Sequence, residues 1–230
     1  MCIDMSGYLN VNNMFNLTII TACWRAENLP KVIESISNQT YKGEIEHILV
    51  NDNNPEVREW FKHNNYFVNN PHRHVIDSYV RGHYYGAIAR NIGIMMAFSY
   101  IKEKERDIDN EYICFHDDDN LWKTEHLQSM VDTLKDNSEA TLVASDAEWR
   151  GYNDKNWVAI RPCLLKQDGC DLGQFMWKAN LFKKYGVFDA HPHSKQRYDF
   201  RLIKKIVDSE GEEKVAFTRN SSFIMSYRKK

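Results

Sequence analysis

Three consecutive aspartates follow an apolar stretch near the middle of the chain. His116 follows the apolar residues 112–115, and Asp117, Asp118 and Asp119 come directly after it and are followed by Asn120. Carboxylates this close repel one another, so a folded protein keeps them where a cation or hydrogen-bond donors offset the charge. Such a run at a strand end suits a divalent metal held against a diphosphate, because Mg²⁺ and Mn²⁺ prefer oxygen ligands. The alternative for this run alone is a solvated acidic turn.

Two further polar residues stand at the ends of predicted strands. Thr21 closes the β-branched run 17–21, and Asp52 follows the apolar run 45–50. In open α/β sheets, ligands bind beyond the carboxyl ends of the strands, so we expect these residues to lie near the aspartates. An aspartate there can accept the N–H groups of uracil or guanine. Polar residues also follow strands simply because loops are wet, so position alone does not establish a site.

Hydrophobic periodicity indicates the elements that would carry these residues. Buried strands alternate with amphipathic helices in the first half, which predicts crossover connections and a largely parallel sheet. The predicted strands and helices of this half are 17–21, 28–36, 45–50, 75–76, 87–101, 112–115, 127–134 and 141–144. The pattern therefore predicts an α/β, Rossmann-like fold with a mostly parallel central sheet flanked by helices.

Shorter elements are predicted in the second half of the chain. Phe175, Ala179 and Phe182 fall on one helical face that ends at Gly186, and a last helix begins near Tyr198. The runs 215–217 and 223–225 are predicted to be short strands. We expect a smaller mixed layer packed on the first half. Residues 1–230 are interpreted as a single domain, with a first half (about 15–120) and a second half (about 121–230).

Composition narrows the class of protein. The 230 residues are 43% hydrophobic and 27% charged, which is typical of a soluble globular protein, and the net charge of -2 gives no field that favours nucleic acid. No apolar run approaches the length of a membrane span, and no signal peptide is recognisable. Five cysteines without metal or redox spacing favour a reducing compartment. These features predict a cytoplasmic protein that meets membranes only through partners.

The order of the motifs resembles that of the family 2 glycosyltransferases of the GT-A fold. The resemblance covers about residues 15–207, and each of its motifs is weak alone. The motifs are residues 18–22, 50–53, 86–93, 116–120, 185–189 and 198–202.

The resemblance implies a nucleotide-sugar-binding half at about 15–120 and an acceptor-binding half at about 121–230. Thr21 would line the nucleotide pocket, Asp52 would hydrogen-bond the base, and Arg90 and Asn91 would shape the donor pocket and position the aspartates. Both UDP- and GDP-sugars fit an aspartate at position 52. Asn51 replaces an acidic residue that is frequent in the family, which leaves the substrate class open.

The aspartate run corresponds to the family's Asp-x-Asp motif. By this resemblance, Asp119 binds Mn²⁺ or Mg²⁺ directly, Asp117 or Asp118 faces the ribose, and Asp117 is a second metal ligand. His191 and His193 follow Asp189 closely in the sequence, and a histidine could join a metal shell, but a His-Pro-His turn is more often a polar loop.

Asp199 aligns with the family's catalytic base. Physically, a carboxylate on the acceptor side would take the proton of an acceptor hydroxyl as the new C–O bond forms. A single displacement of this kind inverts the anomeric carbon. The alternative is a residue that only begins a helix, where the dipole stabilises its charge. Tyr198 stands where the family often has Glu.

Trp177 and Asp171 lie in the segment that carries acceptor contacts in similar enzymes. A tryptophan face stacks well on a sugar, but core packing explains Trp177 equally well. The acceptor would be a saccharide, a lipid-linked glycan or a protein.

Three other classes of protein share part of this residue pattern. A calcium-binding EF-hand fails, because it needs Gly and Glu where Trp122 and Gln128 stand. A nucleotidyltransferase usually has a glycine-rich phosphate loop after the first strand, whereas residues 22–25 contain no glycine. A non-catalytic nucleotide-sugar-binding module would keep Asp52 and the aspartate run but has no need of Asp199.

Overall fold

The fold is described from a computed structural model. It describes residues 15–64, 72–79, 86–151, 158–166, 169–189 and 198–227. His191 and His193 lie outside these residues, so the predictions made for them stay untested.

The larger of two sheets has seven strands and is mostly parallel. In space its strands follow the order β10-β6-β9-β4-β1-β2-β3, and β9 alone runs antiparallel to both of its neighbours. These strands are β1 (Asn16–Cys23), β2 (Ile45–Asp52), β3 (Arg73–Ser78), β4 (Glu111–Asp117), β6 (Leu142–Ala144), β9 (Phe175–Lys178) and β10 (Val215–Phe217). The predicted α/β class with a mostly parallel central sheet is confirmed.

A smaller mixed sheet has four strands in the order β5-β11-β7-β8. They are β5 (Asn120–Trp122), β7 (Ala147–Gly151), β8 (Val158–Arg161) and β11 (Phe223–Tyr227). β5 begins directly after the aspartate run, so the run connects the end of β4 in the larger sheet to β5 in the smaller sheet. The smaller sheet is the mixed layer that the sequence predicts.

Six α-helices accompany the sheets in the described residues. They are α1 (Leu29–Ser37), α2 (Pro55–His63), α3 (Ala87–Glu103), α4 (His126–Asp136), α5 (Asn180–Tyr185) and α6 (Tyr198–Glu210). α1 buries Leu29, Val32, Ile33 and Ile36, the face that its spacing predicts. None of the helices that the structure describes is long and apolar enough to cross a membrane.

Two glycines allow α3 to pack closely against β1. A Cβ atom at Gly93 would lie 2.4 Å from the side chain of Ile20. Gly86, the residue before α3, has a φ of 80°, and a Cβ there would lie 2.9 Å from that of Ala22. Side chains at these positions would push the helix off the strand, so α3 would no longer place Arg90 at the sheet edge.

The prediction of one helix through Phe175, Ala179 and Phe182 is wrong. Residues Phe175–Lys178 form β9 between β4 and β6, and only Asn180–Tyr185 are helical. A strand buried on both faces shows no alternation, so its apolar residues also fit a helical spacing. α2 was not predicted, although Asn54 caps it by accepting the N–H of Glu56 at 2.8 Å. The sequence was interpreted there only as a turn.

Candidate functional site

The parallel register brings the polar strand ends to one side of the central sheet, which we call the carboxyl edge. Ala22 of β1 lies beside Asp117 of β4, and Cys23 lies beside Asn51, the neighbour of Asp52 in β2. Burial, then the charge of Asp118 and that of Asp52, raise the pKa of the Cys23 thiol. Asp52 and the aspartate run therefore share the end of β1.

Asp118 points into the protein and holds the loop that follows β1. One of its oxygens accepts the backbone N–H groups of Trp24 and Arg25, both at 2.6 Å. The other accepts the guanidinium of Arg25. Burial raises the pKa of Asp118, and these hydrogen bonds oppose the shift. The backbone N–H groups of Trp24 and Arg25, which in a phosphate loop would bind a phosphate, thus donate to Asp118 of the same chain.

Asp119 is the open carboxylate of the run. Its side chain is 39% exposed, against 4% for Asp118, and one oxygen lies 3.2 Å from the Arg25 guanidinium. Burial lowers the pKa of Arg25, but the charges of Asp118 and Asp119 outweigh that effect and raise it. Because its side chain is 39% exposed, Asp119 is the member of the run that a metal ion could reach from solvent.

Asp117 is bound to the buried Arg90 of α3. The guanidinium donates to Asp117 and, from its other terminal nitrogen, to the hydroxyl of Tyr198. Burial lowers the pKa of Arg90, but the charge of Asp117 more than offsets it, so the pKa is raised. Arg90 therefore stays charged and joins the end of β4 to the start of α6.

The first turn of α6 carries Tyr198 and Asp199. Burial raises the pKa of Tyr198; Arg90 opposes that shift, while the charges of Asp117, Asp199 and Asp171 add to it. The phenol of Tyr198 is therefore within electrostatic range of all three carboxylates. Asp199 is only 4% exposed, and it accepts the N–H of Phe200 at 2.8 Å. This hydrogen bond within the first turn of α6 is what we expect of a residue that only begins a helix, the alternative interpretation of Asp199.

Asp171 stands at the border between this cluster and a cavity. It caps the short helix Leu172–Gln174, accepting the N–H of Gly173 at 3.0 Å. The cavity measures about 410 Å³. Its wall includes Trp149, Arg161, Lys166, Cys170, Asp171 and Met225. A space of this size, in contact with Asp171, is suited to a saccharide-sized group.

Two of the predicted site residues are placed in the interior. Thr21 is fully buried, and its hydroxyl lies 3.0 Å from Nε2 of His47. Trp177 is also fully buried, with its ring against Phe115, Phe182 and other aromatic rings. Trp177 is therefore a core residue in this structure, the alternative that the sequence left open. Thr21 orders β1 against β2 and presents no exposed hydroxyl at the edge.

Two residues of the cluster were not singled out from the sequence as site residues. Arg25 lies outside the motifs, and Tyr198 is a departure within the motif 198–202. Their roles depend on contacts 93 and 108 residues away along the chain. Asn91 was noted, and its amide pairs in both directions with the backbone of Phe188, at 2.8 and 3.0 Å. It fixes α3 to the segment that precedes α6.

Metal-ligand geometry separates two acidic clusters. Among the described residues, Glu44, Glu46 and His72 are the one set of three whose ligand atoms lie within 4.8 Å of one another. They lie at the amino edge, the side of the sheet where β2 begins. Lys104 lies 2.8 Å from Glu44 and also contacts Glu46, so the chain's own cations already offset these charges. The neutralised cluster does not suit a metal.

The aspartate run offers a metal a different donor set. Asp117 and Asp118 are turned toward Arg90 and Arg25, while the outer Asp119 remains exposed. One exposed carboxylate, supplemented by diphosphate oxygens and water, is a common way in which Mg²⁺ is held. The residues present therefore fit such an ion through Asp119, with Asp117 as a second ligand only if it leaves Arg90.

Comparisons with solved structures confirm the fold. S. aureus TarS 1–349 in complex with UDP has a TM-score of 0.67 at 13% identity, covering 93% of this chain and 61% of that chain. A mannosyltransferase, PcManGT from Pyrobaculum calidifontis, in complex with GDP-Man and Mn²⁺, has a TM-score of 0.57 at 15% identity, covering 88% of this chain and 56% of that chain. The present chain thus spans about 60% of the TarS 1–349 chain.

A search of curated protein sequences finds no match. A family model described as glycosyl transferase family 2 matches residues 18–195, which is most of the chain and includes β1, the aspartate run and Asp171. The chain belongs to glycosyl transferase family 2.

Proposed function

We propose that this glycosyltransferase moves one sugar from a nucleoside-diphosphate sugar to an acceptor hydroxyl of a glycan, with inversion and with Mn²⁺ or Mg²⁺. The observation that carries the proposal is the Arg90 contact described above. Arg90 binds Asp117 of the aspartate run and Tyr198, the neighbour of Asp199. This contact supports a site in which Asp117 acts on the donor and Asp199 on the acceptor.

The donor would lie along the carboxyl edge. Asp52, at the end of β2 and 7% exposed, is the proposed partner of the base, and Asp117 of the ribose. Asp118 would act by holding the loop of Trp24 and Arg25 rather than by touching the donor. The structures similar in fold were solved with UDP, UDP-GlcNAc and GDP-Man. These names support a UDP- or GDP-sugar as the donor here.

The metal would be held through Asp119. When bound, a divalent ion supplies positive charge to the diphosphate leaving group. Arg25 lies 3.2 Å from Asp119 and is the cation that the ion would displace or join. Its guanidinium can also bind a phosphate oxygen bidentately, which makes it a second source of charge at this point.

Asp199 is the proposed general base. Its carboxylate takes the proton of the acceptor hydroxyl while that oxygen bonds to the anomeric carbon. The bond from this carbon to the diphosphate oxygen breaks in the same step, and its electron pair leaves with the nucleoside diphosphate. Because attack and departure occur on opposite faces, the anomeric configuration inverts. A positioned base of this kind contributes about 10²–10⁴-fold to the rate.

The acceptor would enter through the cavity next to Asp171. That carboxylate borders the cavity and acts on Tyr198, so it links the acceptor space to the cluster that contains Asp199. A saccharide, a lipid-linked glycan and a protein-bound glycan all fit this description.

The test is nucleoside diphosphate release from a panel of UDP-, GDP- and dTDP-sugars with Mn²⁺ and glycan acceptors. We expect Asp199→Asn to reduce transfer by at least about 10²-fold while donor binding is kept. Asp208→Asn is the matched control, because Asp208 lies on the same helix with its side chain 58% exposed.

Full transfer by Asp199→Asn would remove Asp199 from the role of base. If the unaltered protein and Asp199→Asn both bind the donor but neither transfers sugar, the result would instead indicate a non-catalytic nucleotide-sugar-binding module. No metal-dependent binding of any nucleotide sugar would contradict the proposed donor site.

A further inference from the structure

Two cysteines lie close together in the wall of the cavity. Cys163 is 1% exposed, whereas Cys170 is partly exposed and contributes to the lining. The N–H of Leu164 donates to the carbonyl of Gly169 at 3.0 Å. This bond holds the two chain segments together directly beside Cys163 and Cys170.

The geometry of that position suits a disulfide. A disulfide needs two sulfur atoms that can approach to bonding distance, with the two Cα atoms about 4.4–6.8 Å apart. The side chains also meet, because the Cys163 thiol is hydrogen-bonded to that of Cys170; this bond and burial raise the pKa of the Cys163 thiol.

The two thiols differ in access. Cys163 is enclosed, and its backbone N–H is fixed by Asp146 at 2.9 Å. Cys170 faces the cavity, so a dissolved oxidant reaches it first. An exposed attacking cysteine with a buried partner beside it is the arrangement found in redox-sensitive pairs.

We infer that Cys163 and Cys170 form a reversible thiol–disulfide pair that reacts with low-molecular-weight disulfides such as oxidised glutathione. The sulfur of Cys170, as thiolate, attacks one sulfur of oxidised glutathione, and the first glutathione leaves. The Cys163 thiolate then attacks the Cys170 sulfur, and the second glutathione leaves. The protein loses two thiol hydrogens and gains one S–S bond, while one oxidised glutathione becomes two reduced molecules.

The bond would fix the backbone next to the catalytic cluster. Cys170 directly precedes Asp171, whose charge acts on Arg90 and Tyr198. Oxidation would thus join the cavity wall at Cys163 to the residue beside Asp171. The inference concerns the thiols alone and goes beyond the proposed function, so it can fail without affecting that proposal.

The sequence allows a direct test by peptide mapping. Trypsin cleaves after Lys166, between the two cysteines, and the bond between Arg161 and Pro162 resists it. The cysteines therefore fall in separate peptides, 156–166 and 167–178, which only a disulfide can join. Native protein would be treated with oxidised glutathione, its free thiols blocked with N-ethylmaleimide, and then digested without reductant.

We expect a joined peptide two hydrogens lighter than the sum of its parts, and two fewer free thiols than the five of the sequence. Dithiothreitol should restore both thiols. Cys163→Ser should stop at a glutathione adduct on Cys170, whereas the control Cys114→Ser, altered in the buried core, should still form the joined peptide. Separate peptides with both thiols alkylated, or an adduct on Cys170 as the only product in the unaltered protein, would overturn the inference.

Discussion

Two acidic clusters stand at opposite edges of the same sheet, and the protein treats them differently. At the amino edge, Glu46 is bound by Lys104 and by His74, and although burial opposes the shift, these hydrogen bonds lower its pKa to about 2. At the carboxyl edge, burial raises the pKa of Asp118. The first cluster is a completed ion-pair network, whereas in the second the hydrogen bonds and ion pair of Asp118 do not fully offset the cost of burying its charge. The comparison teaches that two acidic clusters on one sheet can differ in how completely their surroundings offset their charge.

Loss of the buried arginine should have the largest effect. Arg90→Gln leaves Asp117 without its cation in a poorly solvated position, and we expect the free energy of unfolding to fall by about 3 kcal/mol. Donor binding should be lost with it. Chemical denaturation and calorimetric titration measure the two effects.

Arg58→Gln is the matched control for that change, since Arg58 pairs with Asp77 at 2.7 Å in a more open position. Its unfolding free energy should change much less. Equal losses of unfolding free energy in the two variants would show that the Arg90–Asp117 pair stabilises the fold no more than the Arg58–Asp77 pair.

The amino-edge network should contribute to stability but not to binding. Glu46→Gln is expected to lower the free energy of unfolding by about 2 kcal/mol at pH 7 and to leave donor affinity unchanged. The pKa of Glu46 is lowered on folding to about 2, so its contribution is complete above pH ~4.5.

That contribution should disappear as the pH falls from about 4.5 to 2, and the difference between the variant and the unaltered protein should vanish with it. Urea denaturation across this pH range checks the sign. A difference that grows on acidification would contradict the assignment.

The reverse result is expected for the inner aspartate of the carboxyl edge. Because burial raises the pKa of Asp118, its ionised form costs folding energy at pH 7, and Asp118→Asn should change unfolding by less than about 1 kcal/mol. Without the charge, Arg25 and the loop after β1 lose their anchor, so donor affinity should fall about tenfold. A variant that binds the donor normally would leave Asp118 with no part in the site.

The smallest effect is expected for Thr21. Thr21→Val removes a buried hydrogen bond to His47, which should cost about 1 kcal/mol of stability without a change in donor affinity. Melting curves and donor titration separate the two. A tenfold loss of affinity would return Thr21 to the nucleotide pocket, where the family resemblance places it.

The sequence predicts the elements whose apolar runs or helical faces are bounded clearly. β1 and β2 lie where short apolar runs indicate strands, and α1, α3 and α6 lie where helices are predicted, so the strand ends that carry Asp52 and the aspartate run follow. Phe175–Lys178 was misassigned because a strand buried on both faces has no period of two. α2 was missed because a mostly polar segment after Pro55 gives a weak hydrophobic signal.

The candidate site could be predicted only in part, for a related reason. Asp117, Asp118 and Asp119 are adjacent in sequence, so their type is visible but not their directions. Which of them is offset depends on Arg25 and Arg90, and those contacts span 93 and 27 residues. Tyr198 could be found only as a departure from the family pattern, since nothing local marks a phenol that meets a distant guanidinium.

Metal-dependent donor binding is the most direct test of the central claim. Calorimetric titration of UDP- and GDP-sugars would be made with Mn²⁺ and with chelator, on the unaltered protein, Asp119→Ala and Glu44→Ala. Asp119 is the open carboxylate at the carboxyl edge, and Glu44 belongs to the neutralised amino-edge set. The account predicts that Mn²⁺ strengthens binding at least about tenfold in the unaltered protein and Glu44→Ala, but not in Asp119→Ala. The same gain in Asp119→Ala, or its loss in Glu44→Ala, would contradict it.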